Sequence, residues 1–238
     1  MAHYHIGLNK EQVPDRVIVC GDPARVDIFA SSLSNPQTPV HNREYRSILG
    51  EFNTKKILII SHGVGSAGAA VCFHELMELG AKKIIRIGTA GGLQDQSRVG
   101  DVVCATGAVR DDGASQKMIP EIFPAVCDFR LVGVLEKNFN LENLAAQYGL
   151  VLTSDIFYPQ VLATNLELYR DAGVLAAEME LATLLTLAAL KNTQAAGVLV
   201  LDGNPLKWDQ GEYDPDSKLK ATNLLRVLKV VLAALTDC

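Results

Sequence analysis

Short apolar runs alternate with stretches of helical periodicity along the whole chain. An apolar run bounded by glycine or proline is typical of a buried strand, whereas apolar residues three and four positions apart indicate an amphipathic helix. The predicted strands cover residues 17–20, 45–49, 56–61, 83–87, 102–109, 150–154 and 195–202. The predicted helices cover residues 24–32, 66–79, 129–148, 164–172, 179–191 and 216–235.

This alternation predicts an α/β fold with three layers, α/β/α, around a central, mixed and mainly parallel twisted sheet. No repeat, low-complexity tract or linker divides the chain, so residues 1–238 are predicted to form a single domain. Two polar, proline-containing segments, residues 110–128 and 203–216, are predicted to be loops. Long loops on such a fold commonly bring binding residues to a site.

Composition narrows the class of protein. The net charge is −5 and there is no basic run, which argues against binding of nucleic acid or an anionic membrane. No apolar stretch reaches the ~18 residues of a membrane helix, and the first five residues do not resemble a signal peptide. The five cysteines lack metal-binding spacing, and only His3 and His5 suggest a ligand pair. We therefore expect reduced thiols, a cytoplasmic location and no metal.

Two arginines stand beside glycine-rich turns at the ends of predicted strands. Arg25 follows Gly21 after the first strand, and Arg86 lies in the strand that leads into the glycines of residues 88–92. A buried guanidinium is costly without an anionic partner, and ligands of α/β sheets bind at strand ends. The pair predicts an anion, most simply phosphate, between two strand ends. The alternative is that each arginine forms a structural ion pair, with Asp22 or Asp95 as the available carboxylates.

Residues 63–68 read GVGSAG, a GxGxxG pattern between a predicted strand and a predicted helix. That pattern would indicate a dinucleotide site if an acidic residue ended the following strand. The following strand ends at Arg86-Ile87-Gly88-Thr89, without an acid. The glycines are therefore interpreted as allowing close packing of strand and helix and close approach of the backbone to a ligand.

Three carboxylates occupy positions suited to a binding site. Glu178 and Glu180 are predicted in the opening turn of an apolar helix, where Glu180 shares a face with leucines and would point inward to bind vicinal hydroxyls. The alternative is that both glutamates complement the helix dipole. Asp202 ends the apolar run 195–201, where apolar surroundings would raise its pKa and make it a proton donor near neutral pH. Alternatively, Asp202 is a turn residue that bonds its own backbone.

Six short motifs occur in order along the chain. They are Gly21-Asp22-Pro23-x-Arg25, Asn42-Arg43-Glu44-Tyr45, Ser61-His62-Gly63-Val64-Gly65, Arg86-Ile87-Gly88-Thr89, Glu178-Met179-Glu180 and Asp202-Gly203. With these motifs the chain resembles the hexameric nucleoside phosphorylase family from about His5 to the final helix. Residues 202–209 and the overall pattern are most similar to its members from apicomplexan parasites that act on purine nucleosides.

The resemblance implies the nucleoside phosphorylase fold and reversible phosphorolysis of purine nucleosides to free base and pentose 1-phosphate. Phosphate is a substrate, no metal or organic cofactor is implied, and the family assembles three dimers into a homohexamer. By position, Asp202 would be the acid that protonates N7 of the purine. The implied phosphate ligands are Gly21, Arg25, Arg86 and Thr89, with Arg43 from a neighbouring subunit. The implied nucleoside contacts are Phe157, Glu178, Met179, Glu180, Asp202 and Trp208, with His5 from the neighbour.

Departures from the family pattern bear on the substrate. Thr89 stands where the family usually has serine, which preserves the hydroxyl. Bacterial relatives have an arginine after the acid, whereas residues 203–223 contain none, and this favours 6-oxopurine nucleosides such as inosine and guanosine over adenosine. A uridine phosphorylase is the nearest alternative, although its Gln-x-Arg uracil clamp has no counterpart in residues 157–169. A hydrolytic nucleosidase would give three arginines no purpose, and a non-catalytic dinucleotide-binding module would give Glu180 and Asp202 none.

Overall fold

In the computed structural model, which describes residues 3–237, ten strands form one mixed sheet flanked by helices. The predicted α/β fold is therefore confirmed. The strands are β1 Arg16–Cys20, β2 Val40–Asn42, β3 Tyr45–Phe52, β4 Lys55–Ser61, β5 Lys83–Gly92, β6 Val102–Asp111, β7 Ala125–Val126, β8 Gln147–Ser154, β9 Ala176–Glu178 and β10 Gln194–Gly203. The helices are α1 Pro23–Ala30, α2 Ser66–Leu79, α3 Gly113–Met118, α4 Phe129–Leu141, α5 Leu166–Asp171, α6 Leu181–Leu190 and α7 Lys218–Asp237, with 3₁₀ turns at Lys10–Gln12 and Pro205–Gln210.

The sheet topology gathers several strand ends at one edge. β1 lies parallel to β4 and β5, and β5 lies parallel to β10, so the carboxyl ends of these four strands point the same way. β10 also pairs with β6, β6 pairs with β8, and β9 pairs with both β8 and β5. Because β5 pairs with β10 as well, these five strands form a closed ring. Strand ends that meet at one edge are where α/β folds bind ligands.

The core explains why the strands read as continuous apolar runs. Val17–Cys20 of β1 and Ile57–Ser61 of β4 are buried at every position, as in a sheet covered on both faces. α6 is buried at each of its first eight residues and so has no solvent-exposed face over that length, as expected of a helix inside the core. α7 presents a stripe of buried residues instead, in agreement with its predicted amphipathic pattern.

Several element boundaries differ from the predictions. The helix predicted at 129–148 ends at Leu141, because Asn143 takes a left-handed conformation (φ 47°) and residues 147–148 already belong to β8. The predicted loop 110–128 contains the end of β6, the short helix α3 and the two-residue strand β7. β9 was not predicted, because three residues are too few to show a period.

The described cysteines lie in this core. The cysteines at positions 20, 72, 104 and 127 are buried free thiols, and burial raises the pKa of Cys20 and Cys127 to about 12, so both stay protonated and unreactive. Cys238 lies outside the described residues. Within residues 3–237 no three potential ligands gather for a metal, and none of the helices there combines the length and apolarity that a membrane crossing requires.

Candidate active site

A cavity of about 700 Å³ lies where β1, β4, β5 and β10 end. Ten of the residues proposed from the sequence line it: Gly21, Arg25, Arg86, Thr89, Phe157, Glu178, Met179, Glu180, Asp202 and Trp208. The remaining two, His5 and Arg43, do not line it. The fold therefore brings residues from distant parts of the chain to one place, while their roles as ligands stay predictions.

Arg86 lies in β5 and is almost completely buried, with 3% of its surface exposed. Its Nε donates to Glu178 Oε2 at 3.1 Å, and its Nη2 donates to Glu180 Oε2 at 2.5 Å while lying 3.0 Å from Glu178 Oε2. Its Nη1 donates to His62 Nε2 at 3.0 Å. Two carboxylates thus compensate the desolvation of one guanidinium. Arg86 forms ion pairs, but with Glu178 and Glu180 rather than with Asp22 or Asp95. Its role as a phosphate ligand stays a prediction.

Glu178 ends β9 and caps the helix that follows. Its carboxylate accepts the backbone N–H groups of Glu180 and Leu181, each at 2.9 Å, and the hydroxyl of Thr153. It satisfies N–H groups at the start of α6, where the helix dipole also favours a negative charge. The prediction that Glu178 and Glu180 lie in the first turn of a helix is wrong, because α6 begins at Leu181. The dipole interaction is nevertheless present for Glu178.

Glu180 points inward, as predicted, and only 4% of its surface is exposed. Its Oε1 accepts the backbone N–H of Gly65 at 2.6 Å, and its Oε2 accepts from Arg86. Burial raises the pKa of Glu180, which Arg86 opposes and Glu178 reinforces. Each carboxylate oxygen can accept more than one hydrogen bond, so Glu180 retains the capacity to bind hydroxyl groups of a ligand in the cavity.

The glycine pattern at 63–68 supports this arrangement. Gly63 and Gly65 have φ of 77° and 92°, in the region that favours glycine. A Cβ at Gly63 would lie 2.8 Å from Glu44 Cγ, so only glycine allows Glu44 to pack there. Since the N–H of Gly65 binds Glu180, the glycines serve packing and the placement of a buried carboxylate, in agreement with the packing interpretation.

Arg25 has fewer ion-pair partners than Arg86 within residues 3–237. It lies in the first turn of α1, which Asp22 caps by accepting the N–H of Ala24 at 2.8 Å. The Nε of Arg25 lies 4.0 Å from Asp22 Oδ2, at the limit of an ion pair, and forms no other ion pair within residues 3–237. Asp95, the other carboxylate considered, lies 3.6 Å from Lys207. The guanidinium of Arg25 therefore remains able to bind an anion in the cavity.

Asp202, next to last in β10, is half-buried at the cavity wall. Burial raises the pKa of Asp202. The positive charges of Lys220 and Arg25 oppose that rise, and so does the side chain of Thr89. A carboxyl whose pKa is raised holds a proton more readily and can donate it. Asp202 is not part of a tight turn, because β10 continues through Gly203.

Aromatic rings form another part of the cavity wall. The Trp208 ring lies with its centroid 5.0 Å from that of Phe157 and 5.1 Å from that of Tyr213. Trp208 is in the 3₁₀ turn of the predicted loop 203–216, and the N–H of Asp214 donates to Asp202 O at 2.9 Å, which returns the loop to β10. Flat apolar rings suit the stacking of a planar heterocycle. Tyr213 was not predicted from the sequence, because it belongs to no motif and reaches the cavity only where the loop pairs with β10.

His5 and Arg43 lie apart from this cavity. His5 Nδ1 is 2.6 Å from Glu75 Oε1, and Glu75 also accepts the N–H of Ile6 at 2.9 Å. Burial alone would raise the pKa of Glu75, but these hydrogen bonds outweigh it and lower the pKa. Arg43 is exposed, with φ 57°, in the turn between β2 and β3. Both positions are compatible with a role in a neighbouring subunit's site, which stays a prediction.

The chain is similar to known proteins along nearly its whole length. A family model described as the phosphorylase superfamily matches residues 15–236. The purine nucleoside phosphorylase of Plasmodium falciparum is 40% identical over 232 residues, which cover 97% of this chain and 94% of that protein.

Solved structures agree with the sequence relatives. The crystal structure of purine nucleoside phosphorylase from Toxoplasma gondii in complex with immucillin-H has a TM-score of 0.96 and 34% identity, and covers 99% of this chain and 96% of its own. The crystal structure of uridine phosphorylase from Vibrio fischeri has a TM-score of 0.92 and 30% identity, and covers 100% and 98% of the two chains. Purine and pyrimidine enzymes thus share this fold.

Proposed function

Because the chain belongs to the phosphorylase superfamily, we propose that it is a purine nucleoside phosphorylase that prefers 6-oxopurine nucleosides such as inosine and guanosine. One observation supports this most directly. The carboxyl of Asp202, whose pKa burial raises, shares a single cavity with the uncommitted guanidinium of Arg25 and the buried carboxylate of Glu180. A proton donor, an anion site and a hydroxyl acceptor are the groups that phosphorolysis needs.

The proposed reaction transfers the pentosyl group from the purine to phosphate and one proton from Asp202 to the purine. A phosphate oxygen attacks C1′ of the nucleoside, the C1′–N9 bond breaks, and its electron pair passes to the purine. Charge develops on the departing base as the sugar becomes oxocarbenium-like. Asp202 donates its proton to N7, which neutralises the base, and the products are the free purine and pentose 1-phosphate. Such acid catalysis contributes about 10²–10⁴-fold in rate.

The other residues bind and position the two substrates. Arg25 and Arg86 hold phosphate with charge-assisted hydrogen bonds, with Gly21 and Thr89 beside them. Glu180 accepts hydrogen bonds from the pentose hydroxyls next to Met179. Phe157 and Trp208 stack on the purine. In this proposal no metal or organic cofactor takes part.

The proposal includes an oligomer. By the family resemblance, Arg43 and His5 would complete the site of a neighbouring subunit, and both lie outside the cavity of their own chain. The smallest complete unit is then a dimer, and a homohexamer of three dimers follows from the family resemblance. The cytoplasmic location likewise stays a prediction.

The discriminating experiment uses purified protein with inosine, guanosine, adenosine and uridine, each with and without phosphate. We expect hypoxanthine from inosine only when phosphate is present, and faster turnover of inosine and guanosine than of adenosine. Release of hypoxanthine in phosphate-free buffer would identify a hydrolase. A preference for uridine would identify the pyrimidine enzyme, which shares the fold. Binding of NAD(P) without cleavage of any nucleoside would identify a binding module.

Arg25→Ala separates phosphate binding from nucleoside binding. Loss of charge-assisted hydrogen bonds should raise KM for phosphate by about 10-fold or more while KM for inosine changes far less. Arg130→Ala, which removes an exposed arginine of α4, is the matched control and should leave both constants unchanged. Equal damage to both constants in Arg25→Ala would contradict the assignment.

A further inference from the structure

His62 is a buried histidine that the proposed reaction does not use. It directly follows β4, at the same sheet edge as the cavity, and none of its surface is exposed. Its Nε2 lies 3.0 Å from Arg86 Nη1. Its ring packs edge-on against Phe73, with centroids 5.2 Å apart and an interplanar angle of 68°. In the sequence, His62 belongs to the motif Ser61-His62-Gly63-Val64-Gly65.

The contact with Arg86 fixes the protonation state of His62. A guanidinium can only donate hydrogen bonds and stays protonated in proteins, so Nε2 of His62 must be the acceptor. The ring is therefore neutral, with its proton on Nδ1. Burial and the charge of Arg86 lower the pKa of His62 well below its ordinary value. The buried Nδ1 has no hydrogen-bond partner within residues 3–237.

A neutral acceptor is the suitable partner at this position. Arg86 already faces Glu178 and Glu180, so a third carboxylate would make the cluster more negative and would repel an incoming phosphate. A neutral histidine that accepts a hydrogen bond from Nη1 fixes the orientation of the guanidinium without adding negative charge. Three of the five N–H groups of Arg86 donate hydrogen bonds within residues 3–237, and the second N–H on Nη2 still lies beside Glu178 Oε2, at 3.0 Å. The second N–H on Nη1 has no carboxylate beside it there, and Arg86 lines the cavity.

We propose that His62 is a positioning residue that acts through Arg86. As a neutral Nε2 acceptor it sets the rotation of the guanidinium, so that the remaining Nη1 hydrogen points at phosphate. This inference rests on the proposed function, since it assigns a role in binding the phosphate that the reaction consumes.

The kinetic test compares His62→Leu with His62→Gln, which keeps an acceptor oxygen, and with His74→Leu, a matched change at an exposed histidine of α2. Loss of a hydrogen bond to a charged group should raise KM for phosphate about 10-fold or more in His62→Leu, with KM for inosine within about 2-fold. His62→Gln should recover most of the loss, and His74→Leu should match the wild type. An unchanged phosphate KM, or equal rises in both constants, would overturn the inference.

Two measurements do not depend on turnover, and the second needs only the wild type. Inorganic phosphate should raise Tm of the wild type more than that of His62→Gln, and that of His62→Gln more than that of His62→Leu. Histidine ¹⁵N NMR of the wild type at pH 6 should show His62 neutral with its proton on Nδ1, whereas an imidazolium or an Nε2–H tautomer would refute the inference. Absence of phosphorolysis in the wild type would refute the proposed function, and these two measurements would still decide the role of His62.

Discussion

Asp202→Asn is expected to lower kcat for inosine by about 10²-fold or more, because an amide cannot give a proton to N7 of the departing purine. The reason lies in the position of Asp202 at the end of β10, where burial raises its pKa and the carboxyl retains a proton more readily. Steady-state kinetics with saturating phosphate and inosine measure the effect. KM for both substrates should change much less than kcat, since the substitution is nearly isosteric.

A stability measurement separates lost chemistry from lost structure. Because the folded-state pKa of Asp202 is raised, the folded protein is penalised as pH rises from about 4, the ordinary aspartate range, through the folded-state pKa. Asn carries no charge and removes that penalty. Asp202→Asn should therefore unfold at an equal or higher temperature than the wild type at pH 7, and its advantage should shrink near pH 4. Near-normal turnover would return Asp202 to the role of a backbone-bonded turn residue.

Arg86→Met is expected to destabilise the protein by about 3–5 kcal/mol, because it leaves the carboxylates of Glu178 and Glu180 buried without a counter-charge. Urea denaturation at pH 7 measures the free energy of unfolding. Adding Glu178→Gln and Glu180→Gln to the Met variant should recover a large part of the loss, since neutral amides need no cation.

An exposed ion pair provides the control for Arg86. Arg46 lies 2.6 Å from Asp27, but both side chains are partly exposed, and surface pairs contribute at most about 1 kcal/mol. Arg46→Met should therefore cost much less than Arg86→Met. If the two substitutions cost the same, Arg86 would be no more important to the fold than a surface arginine, and the buried cluster would not be the electrostatic centre of the site.

The sequence predicted the site better than it predicted the interactions within it. Apolar runs that end in glycine located Arg25 just after β1 and Asp202 near the end of β10, because a strand in a covered sheet is recognisable from its own residues. Arg86 was predicted close to a strand end, but β5 continues through the predicted glycine-rich turn to Gly92. Partners are a different matter. Asp22 and Asp95 were considered for the arginines because they are near in sequence, whereas the cation Arg86 pairs with Glu178 and Glu180, some ninety residues away.

The errors have the same origin. Glu178 was assigned to a helix because the apolar residues after it are helical, but strand pairing of β9 with β5 and β8 places it in the sheet. Tyr213 was missed because only the return of its loop to β10 brings it beside Trp208. The role of His62 could not be predicted, because it contacts Arg86 of β5 only when β4 and β5 pair with opposite sides of β1.

By itself the sequence determined the class of fold, the strand ends and the residue types available for chemistry, since these depend on local periodicity and on motifs a few residues long. Only the tertiary structure decided which charges meet, which carboxyl is desolvated and which histidine stays neutral. Ion pairing and desolvation depend on distance and burial in space, and residues far apart in the chain acquire both only when the sheet is assembled.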